Sequence, residues 1–152
     1  MVVIMKIVLQ RVKKACVKVE GKCVGEIGKG LLLLLGVHTD DTVREAECLV
    51  DKCINLRIFS DADDRMNLSL ADIDAEVLVV SQFTLYGNCS KGRRPSFVEA
   101  AAPHKGDELY TCFVEMMKTK CRHVATGIFG AMMEVELIND GPVTLVLEKL
   151  AE

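Results

Sequence analysis

From residue 6 to residue 19 the chain reads KIVLQRVKKACVKV, apolar and polar side chains in alternation, with Val17 and Val19 on one face. A two-residue period marks a strand with one face buried. Glu20-Gly21-Lys22 supplies a turn, and residues 23–27 read as the returning strand. After Gly28-Lys29-Gly30 the pattern changes: residues 31–37 carry no polar side chain, which predicts a strand covered on both faces. Thr42 and Glu45 form a capping-box pair, and Val43, Ala46, Leu49, Val50 and Cys53 recur at helical spacing. The polar stretch 60–70 reads as a loop. Residues 76–80 predict another buried strand, running straight into Ser81-Gln82-Phe83-Thr84-Leu85.

In the C-terminal half, residues 97–102 are expected as a short helix ended by Pro103. A longer helix, about 106–121, places Leu109, Cys112, Phe113, Met116 and Met117 on one stripe, read as core packing. Residues 124–129, 131–138 and 143–147 read as strands. Between the last two lies Asn139-Asp140-Gly141-Pro142-Val143-Thr144. Proline donates no backbone hydrogen bond, so within a sheet it leaves an acceptor without a partner. Two readings stand at this point: a hairpin turn, or a rigid backbone probe aiming carbonyl groups at a ligand. There is no repeat, low-complexity segment or linker. The expected architecture is one α+β domain over 1–152, with mostly antiparallel sheets forming a barrel-like core and two main helices.

Composition narrows the function classes. Half of the 152 residues are hydrophobic and 27% are charged, the balance of a soluble globular domain. The longest apolar run, the five leucines 31–35, is too short to span a bilayer. Residues 1–5 are apolar, but no h-region or cleavage site follows as in a signal peptide. The seven cysteines (16, 23, 48, 53, 89, 112 and 121) include no CxxC pair or zinc-finger spacing, and are expected as reduced thiols of a cytoplasmic protein with no membrane contact. With a net charge of −3, any nucleic-acid contact must come from a local basic patch.

A serine or threonine nucleophile needs a base to take its proton. His38, His104 and His123 all fall in expected loops or at element ends, and no nucleophile elbow is present, so a conventional triad has no support in the sequence. No HxxxH or acidic–histidine cluster points to a metal. Asp61, Asp63, Asn67 and Asp72 fall on calcium-loop positions, but Arg65 occupies a ligand position and Met66 stands where the sharp turn needs glycine. No P-loop or dinucleotide fingerprint occurs, and no cofactor is expected. What remains is the polar cluster Ser81-Gln82…Thr84 at a strand end. Either its side chains satisfy turn hydrogen bonds, or backbone N–H groups around Gln82 and Phe83 bind a developing oxyanion. The loop Lys91-Gly92-Arg93-Arg94-Pro95 has two readings as well, a solvated loop or a phosphate contact. With only Phe97 close by, it lacks the interleaved aromatics of a single-strand stacking surface.

SQFTLYG at 81–87, KGRRPSF at 91–97 and NDGPVT at 139–144, in this order, resemble the D-aminoacyl-tRNA deacylase family. QRVKKACVKV, GEIGKGLLLLLGV, NLRIF, MNLSL and TGIFGA extend the resemblance over essentially the whole chain, and SQxxT paired with GPVT at this separation is specific. Residues 1–4 precede the usual opening, and Met5 is an alternative first residue. The resemblance implies a homodimer with its active sites at the subunit interface. It implies that the Gly141-Pro142 bond is cis and reaches into the partner's site, where its carbonyls recognise the substrate's α-amino group and leave no room for an L side chain. Asn139, Val143 and Thr144 share that substrate-binding segment, and Arg11 matches the arginine that orients it. Ser81, Gln82, Phe83 and Thr84 form the catalytic wall, with main-chain groups holding the scissile ester. The implied partner is the 3′ acceptor end of D-aminoacyl-tRNA, with Lys91, Arg93 and Arg94 as candidate tRNA contacts, and glycine released from mischarged tRNA as well. No side chain is expected to act as an obligatory covalent nucleophile. One pocket contact is worth only about 1–3 kcal/mol, so exclusion of the L side chain by rigid backbone suits chiral proofreading better than attraction of the D one. The rival readings are a non-catalytic tRNA- or DNA-binding module using the same basic loop, and an editing hydrolase for L-amino acids.

Overall fold

The alternation of residues 6–19 becomes β1 (Val3–Val19), the strand on which the sheet is built. The computed structural model describes residues 3–150, and the side chains of 4–149. In chain order, β1 is followed by β2 (Lys22–Ile27), β3 (Gly30–Gly36), α1 (Val43–Asn55), β4 (Phe59–Ser60), β5 (Met66–Leu68) and α2 (Leu70–Ile73). Then come β6 (Glu76–Ser81), a 3-10 turn at Phe83–Tyr86, α3 (Pro103–Lys118), β7 (Val124–Thr126) and β8 (Glu134–Leu150). Of the two alternative starts, residue 1 lies outside the described residues, while Met5 is fully buried in β1.

One edge of β1 carries β2 and then β3 in one antiparallel register from Val17 opposite Gly25 to Lys6 opposite Gly36, with a shift beyond Val17; the other edge carries β8. The sheet is mostly antiparallel, as expected, with two parallel pairs, β3–β6 and β6–β7. The reason lies in the connections: parallel neighbours need a long crossover, and α1 with α2, then α3, supply the two. The edge strands β2 and β7 come together and nearly close a barrel. His123 Nε2 lies 3.2 Å from Glu26 O, and a Cβ on Gly25 would sit 2.2 Å from Thr126 O, so only glycine permits the approach.

Faces are assigned by a bulge. Val12 and Lys14 on β1 oppose the consecutive residues Asn139 and Ile138 on β8, and the extra residue flips the pleat. Before it, Ile7 and Leu9 face α1 and α3; after it, Ala15 and Val17 join Val12, Ile27, Leu32, Leu78 and Val80 in a second core inside the barrel. Both long helices cover the first face. The Thr42–Glu45 capping box forms as expected, and Ala46, Leu49, Val50, Cys53 and Ile54 are buried, but Val43 is exposed at the first turn. Leu109, Tyr110, Phe113, Val114 and Met117 are buried on α3, each full burial contributing about 1.5–3 kcal/mol. No helix among the described residues is long and apolar enough to cross a membrane, and all seven cysteines are free thiols.

Three local expectations are corrected. Pro103 opens α3 rather than closing a helix over 97–102, because proline lacks only an N–H that the first turn leaves unbonded anyway. The preceding segment instead lies along residues 37–39, with Ala101 N donating to Val37 O at 2.9 Å and Thr39 N to Glu99 O at 3.0 Å. Residues 60–70 are not a bare loop: the Asp61 carboxylate accepts from the Asp63 and Arg65 amides and from Asn67 Nδ2, closing the β4–β5 hairpin. A Ser69–Asp72 capping box then starts the short α2, a third helix beyond the two expected. Finally, strand β7 stops at Thr126 and β8 does not begin until Glu134. Met133 Sδ fills the space beside Gly127, and a turn closed by Ala131 N to Ile128 O at 3.1 Å, with Gly130 at φ +78°, separates the two.

Candidate active site

The end of β6 delivers the SQxxT residues. Gln82 N donates to Leu35 O at 2.8 Å, the last bond of the ladder, and the chain then winds into the 3-10 turn held by Leu85 N to Gln82 O and Gly87 N to Thr84 O. The first amides of such a turn have no acceptor inside it. Those of Phe83 and Thr84 have no other partner among the described residues, so the unbonded donors are these two, the Gln82 amide being engaged. Gln82 Nε2 donates to Thr84 Oγ1, and the Ser81 hydroxyl has no partner among the described residues. None of the three histidines bonds to Ser81 or Thr84.

This turn forms one wall of a cavity of about 650 Å³. Its other walls come from Phe97 and residues 100–102 before α3 with Pro103 at its start, and from Phe129–Met133 and Val135 after β7. Phe83 and Phe97 meet edge to face with centroids 5.2 Å apart, and Met132, 91% exposed, stands at the rim. The lining is apolar except at the SQxxT end, so a hydrogen bond made there works in a poorly hydrated setting. Phe97, Phe129 and Met132 were not assigned to a site by spacing; the segment before α3 brings Phe97 there, and the turn that ends β7 brings Phe129 and Met132.

Asn139–Thr144 lies within β8, not at a hairpin tip. While β1 advances two residues from Gln10 to Val12, β8 advances five, from Thr144 back to Asn139, so Asp140-Gly141-Pro142-Val143 arches out of the ladder. Asn139 closes the arch: its Oδ1 accepts from Val143 N at 2.7 Å, and its Nδ2 donates to Val143 O at 3.1 Å and Thr144 Oγ1 at 3.0 Å. Arg11, 9% exposed, grips the arch from below. Its Nε donates to Asp140 O at 2.9 Å and its NH1 to Ile58 O at 2.7 Å, with the Asp140 carboxylate 3.7 Å from Nε. Gly141 has φ +147°, and a Cβ there would lie 2.7 Å from Val143 Cγ2 and 2.8 Å from Val143 N, so no other residue fits. Gly141 and Pro142 are both exposed, and their bond is cis.

The two motifs do not meet within one chain. Ser81 stands opposite Leu35, Leu35 opposite Ile7, and Ile7 opposite Leu147. Three strand spacings of about 4.8 Å, and four residues of about 3.3 Å from Ile7 to Arg11, put them roughly 20 Å apart. No residue of 139–144 lines the cavity. The basic loop is tied at its neck by the reciprocal backbone bonds of Asn88 and Ser96, at 2.7 and 2.9 Å. Lys91, Arg93 and Arg94 are exposed there and have no carboxylate partner among the described residues. Phe97 joins this loop to the cavity wall.

A mixed-sheet α+β barrel with two helices on one face, an apolar cavity at a strand end, paired main-chain donors and a projecting Gly-Pro arch defines the class of protein. The family model described as D-Tyr-tRNA(Tyr) deacylase matches residues 8–148, and the chain belongs to that family. It is 57% identical over 144 residues to the D-aminoacyl-tRNA deacylase of Dehalococcoides mccartyi, covering 95% of this chain and 94% of that protein. It is equally 57% identical over 144 residues to that of Thermotoga petrophila, with 95% and 97% covered. A solved structure described as c-Myc DNA Unwinding Element Binding Protein superposes with TM-score 0.91 at 40% identity, over 96% of this chain and 99% of that one. A probable eukaryotic D-amino acid tRNA deacylase, 19% identical, shares the fold with TM-score 0.83 over 95% and 99%.

Proposed function

We propose that the protein hydrolyses the ester linking a D-amino acid, or mischarged glycine, to the 3′ end of tRNA, and spares the L-aminoacyl ester. The observation that carries the reading is the pair of unbonded amides at Phe83 and Thr84 on the wall of an apolar cavity. As water adds to the ester carbonyl, negative charge gathers on its oxygen, and prepositioned N–H donors stabilise that charge more than the ground state. Removing one such donor elsewhere costs about 100–1,000-fold in rate. Thr84 is not an activated nucleophile: its hydroxyl's partner is the Gln82 side-chain amide, a donor that cannot take a proton. Water is therefore the attacking group, and an aminoacyl ester with its neighbouring 2′-hydroxyl is reactive enough for positioning and electrostatics to serve.

Chiral rejection falls to Gly141-Pro142 of a second copy in a homodimer. The 20 Å gap within one chain supports this, as does an apolar row across the sheet, with Val146 opposite Val8, Val8 opposite Leu34 and Leu34 opposite Val80. Val146 at its outer end is well exposed, and Val80 at its inner end lines the cavity. The unpaired Lys91, Arg93 and Arg94 hold acceptor-end phosphates beside Phe97.

The test is to incubate D-Tyr-tRNA, L-Tyr-tRNA and Gly-tRNA with catalytic amounts of protein. The D and glycyl esters should disappear and the L ester survive; cleavage of the L ester overturns the reading. A trapped acyl-enzyme together with complete loss of turnover in Thr84→Ala overturns the water mechanism. A second reading, binding of DNA without chemistry, is favoured by the likeness to a solved structure, 40% identical, that is named as a DNA unwinding element binding protein, and by the free basic loop. Salt-sensitive DNA binding with no loss of any ester in the same assay would decide for it.

A further inference from the structure

The 3-10 turn that presents the Phe83 and Thr84 amides is anchored in the body of the protein by its last residue, with Leu85 packing over Gly36 beside it. Phe83 and Thr84 are exposed, and Tyr86 is the turn's only buried residue. The turn lies flat on the end of β3: a Cβ on Gly36 would come within 3.1 Å of Tyr86 Cε2 and 3.3 Å of Gln82 O. The Tyr86 ring meets the His38 ring edge-on at 5.4 Å, and the Lys6 ammonium lies 5.1 Å from its centroid. Beside it, between β3 and α1, Asp41 is 1% exposed. Its Oδ2 accepts from His38 N at 2.7 Å, while its Oδ1 and the buried Tyr86 hydroxyl have no partner among the described residues and do not bond to each other. More than nine in ten buried polar groups are paired. Here one donor and one acceptor remain over, both beside His38, whose amide bonds Asp41 and whose ring meets that of Tyr86.

We propose that Asp41 and Tyr86 act together as positioning residues, the Tyr86 hydroxyl donating to the Asp41 carboxylate and so seating the Phe83 and Thr84 amides for the ester. This rests on the hydrolytic reading above. Burial, and then the negative charges of Asp41, Glu148 and Glu99, keep the phenol protonated, so Tyr86 stays a donor throughout the neutral range. Asp41 is the member that changes. Burial pushes its carboxyl up to about 7; the His38 amide, Lys105 on α3 and, more weakly, the Met5 amide oppose that, and Glu45 on α1 reinforces it. The other titratable and charged groups are the His38 ring, edge-on to the phenol, Asp40 in the same loop, 3.9 Å from that ring, and Lys6 on β1 above the phenol. As Asp41 ionises it becomes an acceptor at both oxygens and holds the Tyr86 hydroxyl more strongly, and turnover rises with it.

The first test needs no variant. In nitrogen–proton spectra of the wild-type protein from pH 5 to 9, the Phe83 and Thr84 amide signals should move with the same midpoint as the Asp41 carboxyl carbon. Signals that ignore that titration overturn the proposal. On D-Tyr-tRNA, Tyr86→Phe and Asp41→Asn should each lower kcat about 5–10-fold with KM within twofold, and Asp41→Asn should erase the inflection near neutrality. A kcat within twofold of wild type in both, or an effect on KM alone, also overturns it. If the wild type shows no turnover, the hydrolytic reading fails, while the spectra still decide whether Asp41 and the turn are coupled.

Discussion

Separation of the two motifs by roughly 20 Å within one chain makes subunit sharing measurable by complementation. Two variants are needed, one damaged in each half. Phe83→Pro removes an amide that bonds nothing, at the first position of the turn, where proline's missing N–H disturbs least. Loss of one donor to the developing oxyanion predicts a fall of about 100–1,000-fold. Gly141→Ala places a Cβ 2.7–2.8 Å from Val143, at a φ that costs an L residue about 1–3 kcal/mol. The arch must shift by some tenths of an ångström or more, and a misplacement of about 1 Å costs on the order of 100-fold. Each homodimer alone should therefore keep about 1% of wild-type turnover or less. When the two are unfolded together and refolded as an equal mixture, about half the dimers are mixed, and each mixed dimer has one site with an intact wall and an intact arch. Turnover of D-Tyr-tRNA should recover to about a quarter of wild type. Were wall and arch to act within one chain, every site would still contain a damaged half, and the mixture would show only the mean of its parents. That result refutes the shared site.

Other expectations follow from single contacts. Arg11→Met keeps the packing but strips two charge-assisted bonds from the carbonyls of Asp140 and Ile58; at about 1.5–3 kcal/mol each, urea titration should show a loss of about 3 kcal/mol, with turnover falling more than stability alone explains. Asp41 binds its proton more tightly when folded than its ordinary 3.8 allows, with a folded value of about 7. That contribution to stability, at most about 4 kcal/mol, is fully present below pH 3.8 and is lost as the pH rises through about 7. Asp41→Asn should therefore gain on wild type in thermal melts between pH 4 and 7 and hold a constant advantage above; a constant difference across the range refutes the buried-acid assignment. Arg93→Glu with Arg94→Glu should raise KM for D-Tyr-tRNA about tenfold, leave kcat alone, and flatten the salt dependence by about one to two in log–log slope. An unchanged KM disposes of the basic loop as a tRNA contact.

Much of the fold is legible because the signals are local. The pleat of β1, the continuous apolarity of β3 and β6, and the Thr42–Glu45 cap each dictate a conformation without reference to the rest of the chain. What misleads is a residue with two legitimate uses. Proline ends helices and also begins them, and at position 103 only the pairing of 99–101 with 37–39 decides between the two. The polar run 60–70 looked structureless because its order comes from Asp61 bonding amides two and four residues on, which composition does not encode. Asp41 and Tyr86 were illegible for a different reason. An aspartate just before a helix reads as solvent-exposed, and nothing near it in sequence announces that β1, α1, α3 and the 3-10 turn converge on it.

Asn139–Thr144 shows most clearly how far sequence spacing reaches. A proline between two strand-like runs admits a turn, and spacing cannot separate a turn from an arch inside one strand. The difference lies across the sheet. β1 stays paired on both sides of the arch and advances only two residues against five on β8, so the extra residues of β8 leave the ladder outward. Asn139 replaces the lost ladder bonds by binding both backbone groups of Val143, and Arg11 is buried because a carbonyl lifted out of the ladder still needs a donor. Each residue around the arch is thus accounted for by holding it in place, and none by anything its tip touches in the same chain. Under the proposal of a shared site, this firmly held arch with its exposed tip is the part that enters the second subunit, and the open cavity beside Phe83 is the half it completes.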